Sequence, residues 1–351
     1  QAAIRRQFDQ LYLRRDKNFG NAREARRIFN ECVERQSQRL VEKMSRPDVA
    51  ITDDDAAGFL LDDMYRLTID DLPAGQASMA RPLEEVLAEL DDFIGMRSVK
   101  NAIRRLAVQS VFVKERAEAG AGDVQQLAMN FILTGNPGTG KTSIARKMGE
   151  VLQSMDILPT SNVIETSRAT LVGKYMGETP KIVNQMCDKA MGGILFIDEA
   201  YTLSEQNDQY GKEAIDTLMK RMEDDRGKFV VIAAGYQDKM EEFLQMNAGL
   251  ARRFTHKLHI EDYNEDELLA IYKKMAQKEH YQLTPQAEFK ALDVICEMLA
   301  TKREGFGNAR EMRNMLDATI QQLSLRVSQL PDEEKTKEAY QLILPEDIPE
   351  R

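Results

Sequence analysis

Three continuous apolar runs in the middle of the chain have the pattern of buried β-strands. They are residues 129–134 (MNFILT), 194–197 (ILFI) and 229–234 (FVVIAA). Their apolar positions do not alternate with polar ones, which is typical of strands covered on both faces. Stretches with helical patterning lie between them, and strands alternating with helices predict an α/β fold with a parallel sheet. A functional site is then expected at the carboxyl ends of the strands.

The first run leads directly into a glycine-rich loop. Residues 135–142 read GNPGTGKT and match GxxxxGK[ST] in full, and a helical pattern follows at 143–155. Glycines let backbone N–H groups approach phosphate oxygens, and the following helix points its positive end at the same charge. Strand, loop and helix together predict an ATP or ADP site. Its residues would be Asn136, Pro137, Gly138, Thr139, Gly140, Lys141 and Thr142.

The second run ends in two acids, Asp198 and Glu199. In ATP hydrolysis, Lys141 would reach the β and γ phosphates, while Thr142 and Asp198 would hold Mg²⁺. Glu199 would orient and polarise the attacking water. An acid pair alone often merely ends a strand, and the loop is what makes this pair informative. By contrast, the acids at 261–262 are expected to be ordinary strand-end residues.

A repeated string divides the chain. FGNARE occurs at residues 19–24 and again at 306–311, and similar endings follow at 65–73 (YRLTIDDLP) and 340–349 (YQLILPEDIP). We therefore expect residues 1–73 to be the C-terminal part of one module whose phosphate loop lies outside this chain. Residues 74–85 are expected to be a linker, because they are small and polar with Gly and Pro. A second module follows from residue 86.

Composition argues against some classes of function. The net charge is −10, which argues against a nucleic-acid partner, since such proteins usually present a basic face. No apolar run approaches the ~20 residues of a membrane span. The three cysteines are few and far apart, as in reduced cytoplasmic proteins. We expect a cytoplasmic protein without a membrane partner.

The chain resembles the CbxX/CfqX group of AAA+ ATPases over about residues 86–330. The group includes stage V sporulation protein K, the type VII secretion ATPase and red-type Rubisco activases. The strings that carry the resemblance are GNPGTGKT (135–142), LVGKYMGET (171–179), GGILFIDEAY (192–201), VIAAGY (231–236), GLARRF (249–254) and FGNAR (306–310). They are specific for the group and much less so for any one member.

The resemblance implies a P-loop parallel sheet between helices at 86–262 and a small helical lid at 263–351. It also implies a ring, usually a hexamer, with ATP between neighbouring copies. By family match, Ile94 and Gly95 contact adenine, and Arg310 senses the γ-phosphate from the lid. Arg253 would be the arginine finger that acts in trans, with Arg252 as its competitor. Near the tip of the strand at 229–234 we cannot name the polar residue that helps to position water in many relatives.

The resemblance also places a substrate-gripping loop. Lys174, Tyr175 and Met176 lie between two glycines, and an exposed aromatic beside a flexible methionine suits contact with varied polypeptides. In AAA+ unfoldases the corresponding loop projects into the pore. The alternative is that Tyr175 packs on its own module. Residues 206–211 are a candidate second pore loop.

These features predict a Mg²⁺-dependent ATPase ring that remodels or threads a protein client. One alternative is a Rubisco-activase-like enzyme, although a tandem layout argues against it. Another is an assembly scaffold gated by nucleotide, and a DNA-handling role ranks third. Residues 1–73 resemble the lid of a preceding AAA+ module, with Arg23 in the position of Arg310. Without a phosphate loop we expect Arg23 to bind no ATP in this chain. An independent lid-like adaptor is the less favoured interpretation of this segment.

Overall fold

The chain divides into two compact units, Gln1–Arg81 and Pro82–Arg351. The structure, a computed structural model, describes residues 21–44, 66–68, 71, 81–121, 129–204, 208–301 and 305–350. Each unit is considered by itself below.

Within the described residues of the first unit there is one long helix, α1 (Asn21–Met44). Ile28, Cys32 and Gln36 recur every four residues and form its buried face. At the far end, Arg39 donates two hydrogen bonds to the buried carboxylate of Asp71, from Nε at 2.7 Å and from Nη2 at 2.9 Å. This bidentate pair joins the helix to Asp71. The Arg23 side chain lies outside the described part of the chain.

The second unit contains a five-stranded parallel sheet, which confirms the predicted α/β fold. The strands are β1 (Phe131–Gly135), β2 (Val163–Thr166), β3 (Ile194–Ile197), β4 (Val230–Gly235) and β5 (His256–Ile260). Their order across the sheet is β2-β3-β4-β1-β5. All neighbouring strands run parallel, with Thr134 opposite Gly235 and Gly135 opposite Ile260. The carboxyl ends of all five strands therefore lie along one edge.

Both faces of the sheet are covered, which explains the continuous apolar runs. Phe131 and Leu133 point into one core cluster, whereas Ile132 between them points into the other. This alternation follows from the two-residue period of a strand. The helices packed around the sheet are α2 (Leu83–Ala88), α3 (Arg97–Glu118), α4 (Lys141–Ser154), α5 (Arg168–Leu171), α6 (Thr179–Ala190), α7 (Gln209–Asp224), α8 (Gln237–Met246) and α9 (Ala248–Arg253).

Helix α2 begins at Leu83, inside the range 74–85 that the sequence suggested as a linker. Pro82 precedes the helix, and two acids, Glu84 and Glu85, occupy its first turn. Both features favour helix initiation, because acids stabilise the positive end of the helix dipole. The end of the polar segment is therefore already helical.

The remainder of the second unit is a helical lid. It consists of α10 (Glu265–Lys278), α11 (Pro285–Ala300), α12 (Ala309–Ser328), α13 (Lys337–Gln341) and a short parallel pair, β6 (Gln282–Leu283) with β7 (Leu342–Ile343). Helix α10 begins at a capping box in which Asn264 and Glu267 bond each other's backbone N–H groups. Its buried Tyr272 hydroxyl lies 2.8 Å from Thr319 Oγ1, which joins α10 to α12.

The lid repeats the ion pair of the first unit. Arg326 donates to the buried Asp347 carboxylate from Nε at 2.8 Å and from Nη2 at 2.9 Å. Arg326 lies 287 residues after Arg39, the same separation as between the two FGNARE strings. Two helices with the same string thus carry the same pair in the same place. In the part of the chain that the structure describes, no helix has the length and apolar character of a membrane span.

Candidate nucleotide site

The glycine-rich loop turns between β1 and α4 by left-handed backbone conformations. Gly138 has φ of 69° and Gly140 has φ of 90°. Such angles are disfavoured for residues with a side chain, so the two glycines are required at these turns. The fully buried Thr139 donates from its hydroxyl to the Asn136 carbonyl at 2.8 Å, which closes the loop internally. The loop is preorganised as a cradle at the N-terminus of a 14-residue helix.

Lys141 opens this helix and turns its side chain back over the loop. Its Nζ donates to the carbonyl oxygens of Gly135 at 3.0 Å and Asn136 at 2.9 Å. Burial lowers the pKa of Lys141, and the neighbouring acids Asp198 and Glu199 oppose that shift. A partly desolvated ammonium in this position can bind a phosphate strongly, because less water has to be displaced.

The two acids after β3 lie in a turn that gives them different exposure to solvent. Glu199 has φ of 47°, unusual for a non-glycine residue, and its backbone N–H donates to Asp198 Oδ1 at 3.0 Å. Asp198 is half-buried, whereas Glu199 is exposed. Burial, followed by the charge of Glu199, raises the pKa of Tyr201 to about 12, and a hydrogen bond to Glu199 adds to the shift. Tyr201 therefore stays protonated beside Glu199.

Most of the predicted site residues line one cavity of about 290 Å³. Its walls are Pro137, Gly138, Gly140, Lys141, Thr142, Ser143, Asp198, Glu199, Gly235, Tyr236 and Arg310. Lys141 of the loop and Arg310 of the lid are 169 residues apart in the sequence, and the fold brings them together. Thr142 and Asp198 offer the hydroxyl and carboxylate oxygens that suit Mg²⁺. Tyr236 occupies the tip of β4, where the sequence left the polar residue unnamed, and its ring centroid lies 5.8 Å from Lys141 Nζ.

Ile94 and Gly95 do not line this cavity. They lie behind the loop, where a Cβ placed on Gly95 would come within 3.0 Å of the Tyr263 ring. Tyr263 in turn donates from its hydroxyl to the Thr139 carbonyl at 2.9 Å. The segment is therefore close to the nucleotide loop through Tyr263, and its contact with adenine stays a prediction.

The lid is joined to the loop by polar contacts that the sequence did not predict. The Asn136 amide donates to both oxygens of Asp262, at 2.9 and 3.0 Å, and the buried Asn308 amide donates to Asp262 Oδ1 at 2.9 Å. The backbone N–H of Ala309 donates to the Gly138 carbonyl at 3.2 Å. Asp262, expected to be an ordinary strand-end acid, is the centre of this network. The string FGNAR contains Asn308 of this network, but a role was predicted only for its arginine, Arg310.

The two candidate finger arginines have different environments. Arg253 lies at the end of α9, where Nη1 donates to the Gly249 carbonyl at 3.1 Å and Nη2 to Glu223 at 3.2 Å. Its buried Nε has no hydrogen-bond partner among the described residues. Arg252 is exposed and lines a separate groove next to β5. Neither arginine lines the cavity of its own chain, so a role at a neighbour's site stays a prediction.

The loop at 174–176 presents its side chains to solvent. Tyr175 is 71% exposed and Met176 is 91% exposed. The Glu178 carboxylate accepts hydrogen bonds from the backbone N–H groups of Lys174 and Tyr175, at 3.1 and 3.2 Å, and so holds the loop in shape. Of the candidate second loop, residues 206 and 207 lie outside the described part. Asp208 caps α7 and pairs with Arg168 at 2.8 Å.

A glycine-rich cradle, a half-buried lysine and an acid pair at the carboxyl edge of a parallel sheet define a P-loop nucleotide-binding protein. The family model for ATPases associated with various cellular activities (AAA) matches residues 131–262, and the AAA lid domain model matches 1–82 and 264–351. The chain belongs to the AAA ATPase family. It is an ATPase by family, and the predicted resemblance to this family is confirmed.

Relatives with several different functions match the chain. Stage V sporulation protein K of Bacillus subtilis is 38% identical over 247 residues, which are 70% of this chain and 76% of the relative. The chloroplastic ribulose bisphosphate carboxylase/oxygenase activase of Cyanidioschyzon merolae is 40% identical over 270 residues, 76% of this chain and 91% of the relative. The secretion protein EccA1 of Mycobacterium tuberculosis is 37% identical over 262 residues, 72% of this chain and 46% of the relative. A solved structure of Thermotoga maritima RuvB matches with a TM-score of 0.47 and 18% identity, covering 77% of this chain and 71% of that one.

Proposed function

We propose that the chain hydrolyses ATP with Mg²⁺ in a ring of identical subunits and uses the energy to remodel or thread a protein client. The observation that carries this proposal is the single cavity lined by Lys141, Thr142, Asp198, Glu199 and Arg310. A phosphoryl-transfer site needs positioned cations, a metal-holding oxygen pair and a residue to orient water. These five side chains supply each of those parts.

Each residue has a separate task in this account. Lys141 releases the carbonyl oxygens of Gly135 and Asn136 and binds the β and γ phosphates in their place. Thr142 and Asp198 would hold Mg²⁺, which would supply positive charge to neutralise the phosphate oxygens. Glu199, exposed at the mouth of the cavity, orients the attacking water. Arg310 binds the γ-phosphate from the lid.

Glu199→Gln tests the chemistry with little change in shape. We expect ATP to bind with nearly unchanged affinity and to be hydrolysed about 10²-fold more slowly or worse, because the amide cannot polarise water. Lys141→Ala should instead weaken binding itself. Normal turnover by Glu199→Gln would remove Glu199 from the mechanism. Asp224→Asn, which makes the same isosteric change from carboxylate to amide at an exposed position at the end of α7, is the matched control.

The ring is proposed from the family resemblance, and it is supported by the position of Arg252 and Arg253, neither of which lines the cavity of its own chain. Arg253 is the proposed finger, since it lies at the end of a short helix and its Nε has no hydrogen-bond partner in the part of the chain that the structure describes. A planar guanidinium can clamp two phosphate oxygens, and such a finger contributes about 10³–10⁵ in rate in related systems. Arg252 is the alternative because it is the more exposed of the two.

The proposal of a protein client rests on the exposed loop at 174–176. Tyr175→Ala separates a motor from a nucleotide-gated scaffold, because a motor would lose unfolding of a protein substrate and keep its ATPase activity. A scaffold would assemble and dissociate as before. Rubisco activation is a second candidate function, because one relative is named as a Rubisco activase. A reconstituted assay that measures the release of inhibited Rubisco would test it. We further propose a cytoplasmic location.

For the domains, we propose that residues 1–73 are the lid of a preceding AAA module. The AAA lid model matches this region as well as 264–351, and both regions carry the arginine–aspartate pair. Residues 74–85 would be the linker, 86–262 the ATPase subdomain and 263–351 its lid. Arg23 would have no nucleotide to bind within this chain. Photolabelling with an azido-ATP tests this, since label within 1–73 would contradict the proposal.

A further inference from the structure

The phosphate loop and the lid share an acid that is not part of the catalytic set. Asp262 lies two residues beyond β5, which pairs with β1 so that Ile260 is opposite Gly135. This register places the Asp262 carboxylate beside Asn136, the second residue of the loop, and both oxygens accept from its amide. Asp262 is therefore attached to the sheet on one side and to the loop on the other.

The lid reaches the same carboxylate through Asn308. Asn308 is fully buried, and it stands immediately before α12 with φ of 46°, a backbone conformation that residues with a side chain rarely adopt. Its side-chain oxygen accepts from the Tyr263 N–H at 3.1 Å, and its amide donates to Asp262 and to the Pro137 carbonyl at 3.3 Å. These bonds hold the strained residue in place.

The consequence concerns Arg310, two residues further on. Helix α12 is 20 residues long and begins at Ala309, whose N–H bonds the Gly138 carbonyl. Three carbonyl or carboxylate groups on or beside the loop thus set the start of this helix. A shift of the loop when phosphate binds must either move α12 or break these bonds.

We propose that Asp262 is a positioning residue that fixes α12, and with it Arg310, on the phosphate loop. Through this link the lid distinguishes a nucleotide with a γ-phosphate from one without it. The inference rests on the proposed function, because it requires that ATP and ADP bind in this cavity. A purely structural bond would instead contribute equally to the binding of both nucleotides.

The test is a double-mutant cycle between Asp262→Asn and Arg310→Ala in the full chain. Dissociation constants for ADP and for a non-hydrolysable ATP analogue are measured by calorimetry. We expect Arg310→Ala to change the ratio of the two constants, and Asp262→Asn to change it in the same direction by about tenfold. The double variant should equal Arg310→Ala, because a displaced arginine and a missing arginine have the same effect. ADP affinity of Asp262→Asn should stay within about threefold of wild type.

Two controls make the result decisive. Asp266→Asn makes the same change of charge at an exposed position in the first turn of α10 and should leave the ratio unchanged. Asn308→Gly removes the amide while allowing the positive φ, and should reproduce Asp262→Asn. The inference would be overturned if the effects of Asp262→Asn and Arg310→Ala on the ratio of dissociation constants were additive. It would also be overturned if Asp262→Asn left this ratio unchanged, or if both variants weakened ADP and the ATP analogue equally. If the wild-type chain bound neither nucleotide, the proposed function itself would be wrong.

Discussion

Gly138→Ala tests the close approach of the phosphate loop to the lid. A Cβ built on Gly138 lies 2.0 Å from the Gly307 carbonyl oxygen, so the lid must retreat by about 1.4 Å to reach ordinary contact distance. That shift takes the Ala309 N–H out of hydrogen-bond range of Gly138. The positive φ adds about 1–2 kcal/mol of strain for any residue with a side chain.

The clash and the strain can be separated by a matched variant. Gly120 has φ of 71°, nearly the same as Gly138, and no heavy atom lies within 4 Å of its built Cβ. Gly120→Ala therefore carries the strain without the clash. We expect only Gly138→Ala to loosen the start of α12, since it alone loses a hydrogen bond of about 1 kcal/mol and the packing around it.

The assay is hydrogen exchange of the peptide containing residues 309–312, without nucleotide. We expect at least about tenfold faster exchange in Gly138→Ala than in wild type, equivalent to about 1.4 kcal/mol of local opening. Gly120→Ala should match wild type in this peptide. Equal protection of the peptide in all three proteins would refute the contact between loop and lid.

Two further predictions concern side chains outside the catalytic set. Tyr201→Phe should lower kcat about three- to tenfold with unchanged ATP affinity, because Glu199 loses a hydrogen-bond donor. The control Tyr210→Phe should leave kcat unchanged. Equal kcat values for Tyr201→Phe and wild type in a steady-state assay would contradict this prediction. The hydrogen bonds from Arg39 hold the pKa of Asp71 below its ordinary value. The pair therefore stabilises the first unit fully at pH values above the ordinary pKa of an aspartate. This stabilisation is lost as pH falls through the lowered pKa. The protection factors of α1 amides, taken relative to the intrinsic exchange rate at each pH, should therefore fall in acid, and Asp71→Asn should remove that acid dependence. A variant that kept it would contradict the assignment to Asp71.

The parts of the site that could be predicted from the sequence are those encoded contiguously. The loop from Gly135 to Thr142 combines glycine freedom, a lysine and a following helix within eight residues, so its chemistry is readable without a structure. The three central strands β1, β3 and β4 were equally clear, because burial on both faces leaves uninterrupted apolar runs. The outer strands β2 and β5 were not predicted, because they are only partly buried and carry polar residues within the strand. The resemblance then related Arg310 to the loop, and the cavity places the two together.

The network around Asp262 could not be predicted in the same way. Its three side chains come from the loop, the end of β5 and the start of α12, and they meet only through tertiary structure. An aspartate after a strand and an asparagine before a helix are also common for local reasons, namely turns and caps. Likewise, the family match favoured Arg253 over the adjacent Arg252, but the surroundings of the two arginines could not be predicted from the sequence.

The most direct test of the account is the rate of ATP hydrolysis per chain over a wide range of protein concentration, with Lys141→Ala as the blank. The account predicts that specific activity rises cooperatively with concentration, because a neighbour must supply Arg253 to complete each site. Arg253→Ala should then stay at the low rate at every concentration. A substantial rate in wild type that does not vary with concentration would contradict the shared site and the ring proposed to form it.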